Sequence, residues 1–147
     1  MNSMVLDASV ILRWAFEDEA DRSGAEALAQ ALQAGRMSVM APPNFLLEVA
    51  ASLVIALRAG RITRSTMDVV MGALGVIAID EVNAHQFAEA VVEVALRTGT
   101  RVPDAAYLET ARRSGATLIT ADRSQLEGAM RMGLPAIPLG EVPSPEA

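Results

Sequence analysis

The chain has no cysteine, no lysine and a single histidine, His85. Without cysteine, disulfides and Cys-based zinc or iron–sulfur sites are excluded, and a reducing compartment is permitted. One histidine excludes a multi-His zinc centre and argues against a Ser-His-Asp triad. Aromatic residues are only 3% of the sequence, so the core has to be aliphatic and alanine-rich, which suits helices packed closely on a flat sheet. Long apolar runs are missing too. The longest, "VAASLVIAL" at 49–57, is too short to cross a bilayer. The N-terminus lacks the charged, apolar and small-residue regions of a secretory signal. These features lead to the expectation of a soluble cytoplasmic protein with no membrane partner.

What is present is a chain of 147 residues, 52% hydrophobic, long enough for one domain with a sizeable core. Its net charge is −6, which does not advertise a nucleic-acid binder. Yet all twelve basic residues are arginine, the better bidentate phosphate ligand. Cations held by some of the acids would also make a working site less negative. Strand-like and helix-like segments alternate. Strands are expected at 4–8, 37–42, 76–80, 116–120 and 134–139, the last confined to a sheet edge by Pro135 and Pro138. Helices are expected at 20–35, 43–60, 63–74, 83–99, 103–115 and 123–133, with Thr63 as an N-cap and Asn83 with Gln86 at capping-box spacing. This alternation predicts a three-layer α/β/α domain over 1–140, built on a mostly parallel sheet of about five strands, with 141–147 as a flexible tail. Function in such sheets lies beyond the carboxyl ends of the strands.

Four acids fall near such ends. Asp7 closes the first strand, Asp122 follows "ATLIT", Asp104 opens a helix behind Pro103, and Glu48 lies one turn into the helix after the second strand. Each has a structural alternative. Asp122 reads as a helix cap with Gln125 reaching back, Asp104 as an N-cap, Glu48 as part of a solvated stripe and Asp7 as an anchor for loop amides. Capping does not account for the shared strand-end setting, nor for the hydroxyls Ser9 and Thr120 two residues from Asp7 and Asp122. If the four converge, like charge forbids their joint ionisation without cations. An all-oxygen site selects Mg²⁺ or Mn²⁺, which activate water and stabilise phosphoryl oxygens.

At these residues the sequence resembles a known family. "VLDASVI", "PPNFLLEVAASL", "VPDAAYLETARRSG" and "LITADRSQL" are similar, in order, to the four acidic motifs of PIN-domain ribonucleases. The similarity is greatest to the VapC toxins of VapBC toxin–antitoxin pairs. The resemblance implies a PIN-like parallel sheet and Mg²⁺- or Mn²⁺-dependent endoribonuclease activity on tRNA or ribosomal RNA that stops translation. It also implies a homodimer and a cognate VapB-type antitoxin that neutralises the enzyme. Carried over, Asp7, Glu48, Asp104 and Asp122 are the metal-binding catalytic acids, with Ser9 and Thr120 as supporting hydroxyls. One position departs from the pattern: many relatives carry asparagine three residues after the motif glutamate, where this chain has Ala51.

Arg13, Arg112 and Arg123 are candidate RNA-phosphate contacts, against the alternative of solvated faces or local charge balance. Tyr107 reads as packing in preference to base stacking. Trp14 and Phe16, with Ile11 and Leu12, form an apolar cluster that is either core or a groove for an antitoxin helix. Two other function classes compete. A haloacid-dehalogenase-like phosphatase also has an aspartate after its first strand, but it needs a second aspartate and a lysine, and Asp7 is followed by Ala8 and Ser9. The missing lysine also argues against a phospho-receiver, and "DASVILRW" lacks the glycine-rich turn of a dinucleotide site. A non-catalytic PIN-like module for RNA or protein is the other alternative, opposed by acids at all four motif positions.

Overall fold

The computed structural model describes residues 2–16, 22–83 and 85–143. Five strands are present: β1 (Asn2–Leu6), β2 (Met37–Ala41), β3 (Ile79–Glu81), β4 (Thr117–Thr120) and β5 (Ala136–Pro138). The helices are α1 (Ala8–Leu12), α2 (Arg22–Gln33), α3 (Phe45–Arg58), α4 (Arg64–Leu74), α5 (Phe87–Thr98), α6 (Val102–Ser114) and α7 (Arg123–Met132). The sheet order is β3-β2-β1-β4-β5, and every neighbouring pair is parallel. Right-handed crossovers place α1–α4 over one face and α5–α7 over the other. The contacts agree, since α1 meets α3, α3 meets α4, and α5, α6 and α7 meet one another. This is the expected three-layer α/β/α arrangement.

Its topology positions the site. The chain winds outward from β1 to β2 and β3, then returns to add β4 and β5 on the other side. The winding therefore reverses between β1 and β4, and the connections leaving those strands diverge to opposite faces. Such a switch point opens a crevice at the carboxyl ends. Leu6 pairs with Ile119 in register, so Asp7 and Thr120 stand side by side where the crevice opens.

Aliphatic burial holds this frame. Val5, Leu6, Leu53, Leu108, Leu118 and Ile119 are all essentially inaccessible. Each such side chain contributes about 1.5–3 kcal/mol relative to exposure. The scarce aromatics meet under the crevice, where Phe45 and Tyr107 pack edge to face with centroids 6.4 Å apart. Of the apolar cluster at 11–16, Ile11 and Phe16 are core, and Trp14 is tied down by its indole N–H, which donates to the Ala25 carbonyl at 2.8 Å.

Several boundaries differ from expectation. The five residues of α1 directly after Asp7 read from sequence only as a turn. β3 begins at Ile79, three residues later than expected, because 76–78 form a turn and bend leading into it, with the Ala78 carbonyl already accepting from the Val39 N–H at 2.9 Å. The capping box at Asn83 and Gln86 does not form. The Asn83 side chain accepts instead from the His85 N–H, Gln86 takes the left-handed conformation (φ 64), and α5 starts at Phe87. Thr63 does cap α4, accepting from Thr66 N–H at 3.1 Å. The tail begins with a 3-10 turn at Leu139–Glu141, anchored by buried Leu139, and 144–147 lie outside the described residues.

That turn rests on α2 at Gly24. A Cβ built there would lie 2.2 Å from the Leu139 carbonyl oxygen, a backbone atom with no freedom to move aside. Gly24→Ala is expected to destabilise the fold by about 1.5 kcal/mol, read as a lower urea midpoint at unchanged slope.

Candidate active site

Asp7 has to leave β1 with its carboxylate in the crevice, because α1 begins at the next residue and turns the chain away. Its backbone N–H still donates to Ile119 at 3.2 Å, continuing the β1–β4 pairing. The side chain is only 6% exposed. Oδ2 accepts from the hydroxyls of Ser9 and of Thr120, the latter at 3.3 Å, and Oδ1 accepts from Gln125 Nε2 at 3.1 Å. Burial drives the Asp7 pKa above the usual carboxylate range, the hydrogen bonds from Ser9 and Gln125 oppose the rise, and the charge of Asp122 adds to it.

The other acids are held by equally specific partners. Asp104 sits in the first turn of α6, inside the helix and not at its cap, which is Arg101. Its Oδ1 accepts from the same Gln125 Nε2 at 3.2 Å. Glu48, in the first turn of α3, accepts from the Tyr107 hydroxyl at 2.9 Å. That hydroxyl accepts in turn from the N–H of Ala8, next to Asp7, at 3.3 Å. The pKa of Glu48 is raised, first by burial, against the Tyr107 hydrogen bond, and further by the charges of Asp7 and Asp104. The Tyr107 hydroxyl is itself pushed far up, by burial and then by Asp7 and Glu48, so it stays a neutral donor.

Asp122 realises its capping reading. Its Oδ1 accepts from Ser124 N–H at 2.7 Å and Gln125 N–H at 3.2 Å, while its own N–H donates to Thr120 Oγ1 at 2.9 Å. It nevertheless stands close enough to Asp7 for its charge to matter there. The four acids are thus linked through shared donors and charge: Gln125 joins Asp7 to Asp104, the charge of Asp122 reaches Asp7, and those of Asp7 and Asp104 reach Glu48. They are spaced by protein donors: among the described residues, no three acidic or histidine side chains stand together as a ready-made metal-binding group.

Two members of this network do more than the sequence suggests. In the capping alternative for Asp122, Gln125 reaches back to the cap; its side chain instead turns inward to Asp7 and Asp104. Tyr107 is packing, as expected, but its hydroxyl also fixes Glu48. The legible signal was helical spacing, since each lies three residues after a motif acid and so on nearly the same helix face. Tyr107→Phe removes one donor to Glu48 and one acceptor for Ala8. A loss of about 1 kcal/mol in unfolding free energy is expected, measured by chemical denaturation.

The arginines are placed less uniformly. Arg123 opens α7 beside Asp122 with its side chain 92% exposed, pairing at 3.2 Å with Glu127. Arg13 closes α1. Arg112 is engaged by Glu109, away from the crevice.

Sequence comparison adds an independent observation to this geometry. Residues 4–129 match the PIN domain family. The chain belongs to that family. The PIN domain is a nuclease-type fold, and its match spans all four acids. A crystal structure of PAE2754 from Pyrobaculum aerophilum superposes with a TM-score of 0.68 at 20% identity, covering 94% of this chain and 91% of that one. At that identity the likeness concerns the fold alone. No curated protein sequence matches. Among the described residues of this PIN domain, no helix is long and apolar enough to cross a membrane.

Proposed function

We propose that this PIN domain is a metal-dependent endoribonuclease of the VapC type, cutting tRNA or ribosomal RNA and so halting translation. Its active residues are Asp7, Glu48, Asp104 and Asp122. The observation that carries the reading is their convergence at the β1–β4 switch point, with Gln125 joining Asp7 to Asp104 and Tyr107 fixing Glu48 beside Ala8.

The residues fit a hard divalent cation, Mg²⁺ or Mn²⁺. The donor set is all oxygen, and the buried carbonyl Oε1 of Gln125 has no hydrogen-bond partner among the described residues. A bound cation supplies an activated water and stabilises charge on phosphoryl oxygens. The chain's own groups do the rest. Ser9 and Thr120 hold the Asp7 carboxylate in one orientation. Tyr107 keeps Glu48 turned towards the crevice. Arg123, exposed beside Asp122, offers a guanidinium to a backbone phosphate, and Arg13 serves from the end of α1; Arg112 is committed to Glu109 away from these acids. RNA is the substrate, a cognate VapB-type antitoxin is the partner that blocks the crevice, and two copies form the working dimer in the cytoplasm.

Expression of the chain alone should arrest growth and accumulate tRNA or ribosomal RNA cut at a defined position. Co-expression of a small antitoxin encoded next to it should relieve the arrest. Growth at the uninduced rate with intact RNA would reject the toxin reading. A non-catalytic RNA- or protein-binding module is the second reading, and the spacing of the acids by protein donors favours it. It requires RNA binding without cleavage in the presence of Mn²⁺.

A further inference from the structure

Gln125 is the most unusual polar residue of the crevice. It is 1% exposed, and its Nε2 donates to Asp7 Oδ1 at 3.1 Å and to Asp104 Oδ1 at 3.2 Å. Both amide protons are thereby committed, one to each carboxylate. Its carbonyl Oε1, equally buried, accepts from no described group. Turning the amide over would set Oε1 against two carboxylate oxygens, so the donor edge has to face them. As packing alone this residue is poor, because a leucine of similar size would fill the space without burying an unpaired carbonyl. Its geometry is explained by the two carboxylates, which belong to different elements and repel each other.

We infer that Gln125 is a positioning residue: its side-chain amide ties Asp7 to Asp104 in the cation-free protein and fixes the spacing that a divalent cation takes over. The role rests on the metal reading above. Asp7 follows β1 and Asp104 lies in the first turn of α6, on separate elements, and no backbone hydrogen bond joins the two residues. Gln125, in the first turn of α7, reaches both because the Asp122 cap fixes the start of that helix through the backbone N–H of Gln125 itself. The unpaired Oε1 then lies on the same amide as the bridge, available as an acceptor or ligand once a cation relieves the carboxylates of their need for donors.

The test is Mn²⁺ binding, followed by electron paramagnetic resonance of free Mn²⁺, with melting temperatures in EDTA, for wild type, Gln125→Leu and Gln125→Glu. Gln125→Leu is expected to keep a cooperative melt and to weaken Mn²⁺ binding about tenfold. Gln125→Glu keeps the reach but replaces donors by a third charge. It is expected to melt lower than wild type in EDTA and to recover on adding Mn²⁺. Should Gln125→Leu not fold, Gln125→Glu carries the test by itself. Mn²⁺ affinity of Gln125→Leu within twofold of wild type, or an unchanged melt for Gln125→Glu in EDTA, overturns the role while leaving the metal reading standing. A wild-type chain that binds no Mn²⁺ overturns both.

Discussion

Asp7→Asn should lower metal-dependent RNA cleavage by about a thousandfold or more while leaving the fold intact. The two halves of that result have separate causes. Asp7 is the acid placed most centrally in the crevice: Gln125 links it to Asp104, the charge of Asp122 reaches it, and its own charge reaches Glu48. On the proposed metal-dependent reading, removing its negative charge removes a principal ligand of the cation. Stability should not suffer, because a buried carboxylate whose pKa is raised is a group the fold would rather have neutral. Asparagine keeps the shape and an oxygen for Ser9 and Thr120, while its amide faces the Gln125 donor and loses that hydrogen bond. The lost bond offsets the relief of the buried charge, so in EDTA the variant is expected to melt cooperatively and near the wild-type temperature. Cleavage assays and thermal melts on the same preparation check both halves. A variant that loses activity because it unfolds would not support the assignment.

Glu109→Ala carries the largest expected effect on stability. Glu109 is fully buried in α6 and accepts from Arg112 twice, at 2.7 and 2.6 Å, and from Arg113 at 2.8 Å. Arg113 also lies over the Phe87 ring at 5.3 Å and donates to the Gln86 carbonyl, so this node fastens α6 to the start of α5. Removing one partner of a buried pair leaves cations without their acid. Both guanidinium groups retain solvent access, with side chains 52% and 33% exposed, which reduces the penalty. A loss of about 3 kcal/mol is expected, at the low end for such pairs. The pH dependence follows with a definite sign. The Arg112 hydrogen bonds hold the Glu109 pKa below the usual glutamate value, with burial opposing. The stabilisation is therefore present above the unfolded-state pKa and is lost as pH falls through the lowered folded value. Glu109→Ala should accordingly flatten the acid limb of the stability profile, measured by denaturant titration across the acidic range.

The sequence carried the architecture because its signals were redundant. Alternating strand-like and helical segments and the Thr63 cap pointed to the same parallel sheet. Asp7 and Asp122 were legible because strand ends can be read from composition and parallel topology makes strand ends converge, whereas Asp104 lies in a helix that follows another helix and joined the set through the resemblance in its motif. What escaped was local competition. Asn83 had two uses for its side chain, and the turn with His85 prevailed over a capping box with Gln86. Asp104 looked like a cap, yet the helix had already begun before Pro103. The role of Gln125 was hidden because reaching back to its own helix start and reaching across to Asp7 need the same residue at the same spacing. Only the three-dimensional position of β1 separates them.

One measurement tests most directly whether these acids form a cation-dependent ribonuclease site. Purified wild-type protein is incubated with end-labelled cellular tRNA and ribosomal RNA in EDTA, then with Mn²⁺ or Mg²⁺ in excess, beside Asp7→Asn prepared identically. Discrete fragments that form only with the cation and only with wild type are the result expected. Fragments that persist in EDTA, or that Asp7→Asn produces at the wild-type rate, would contradict it.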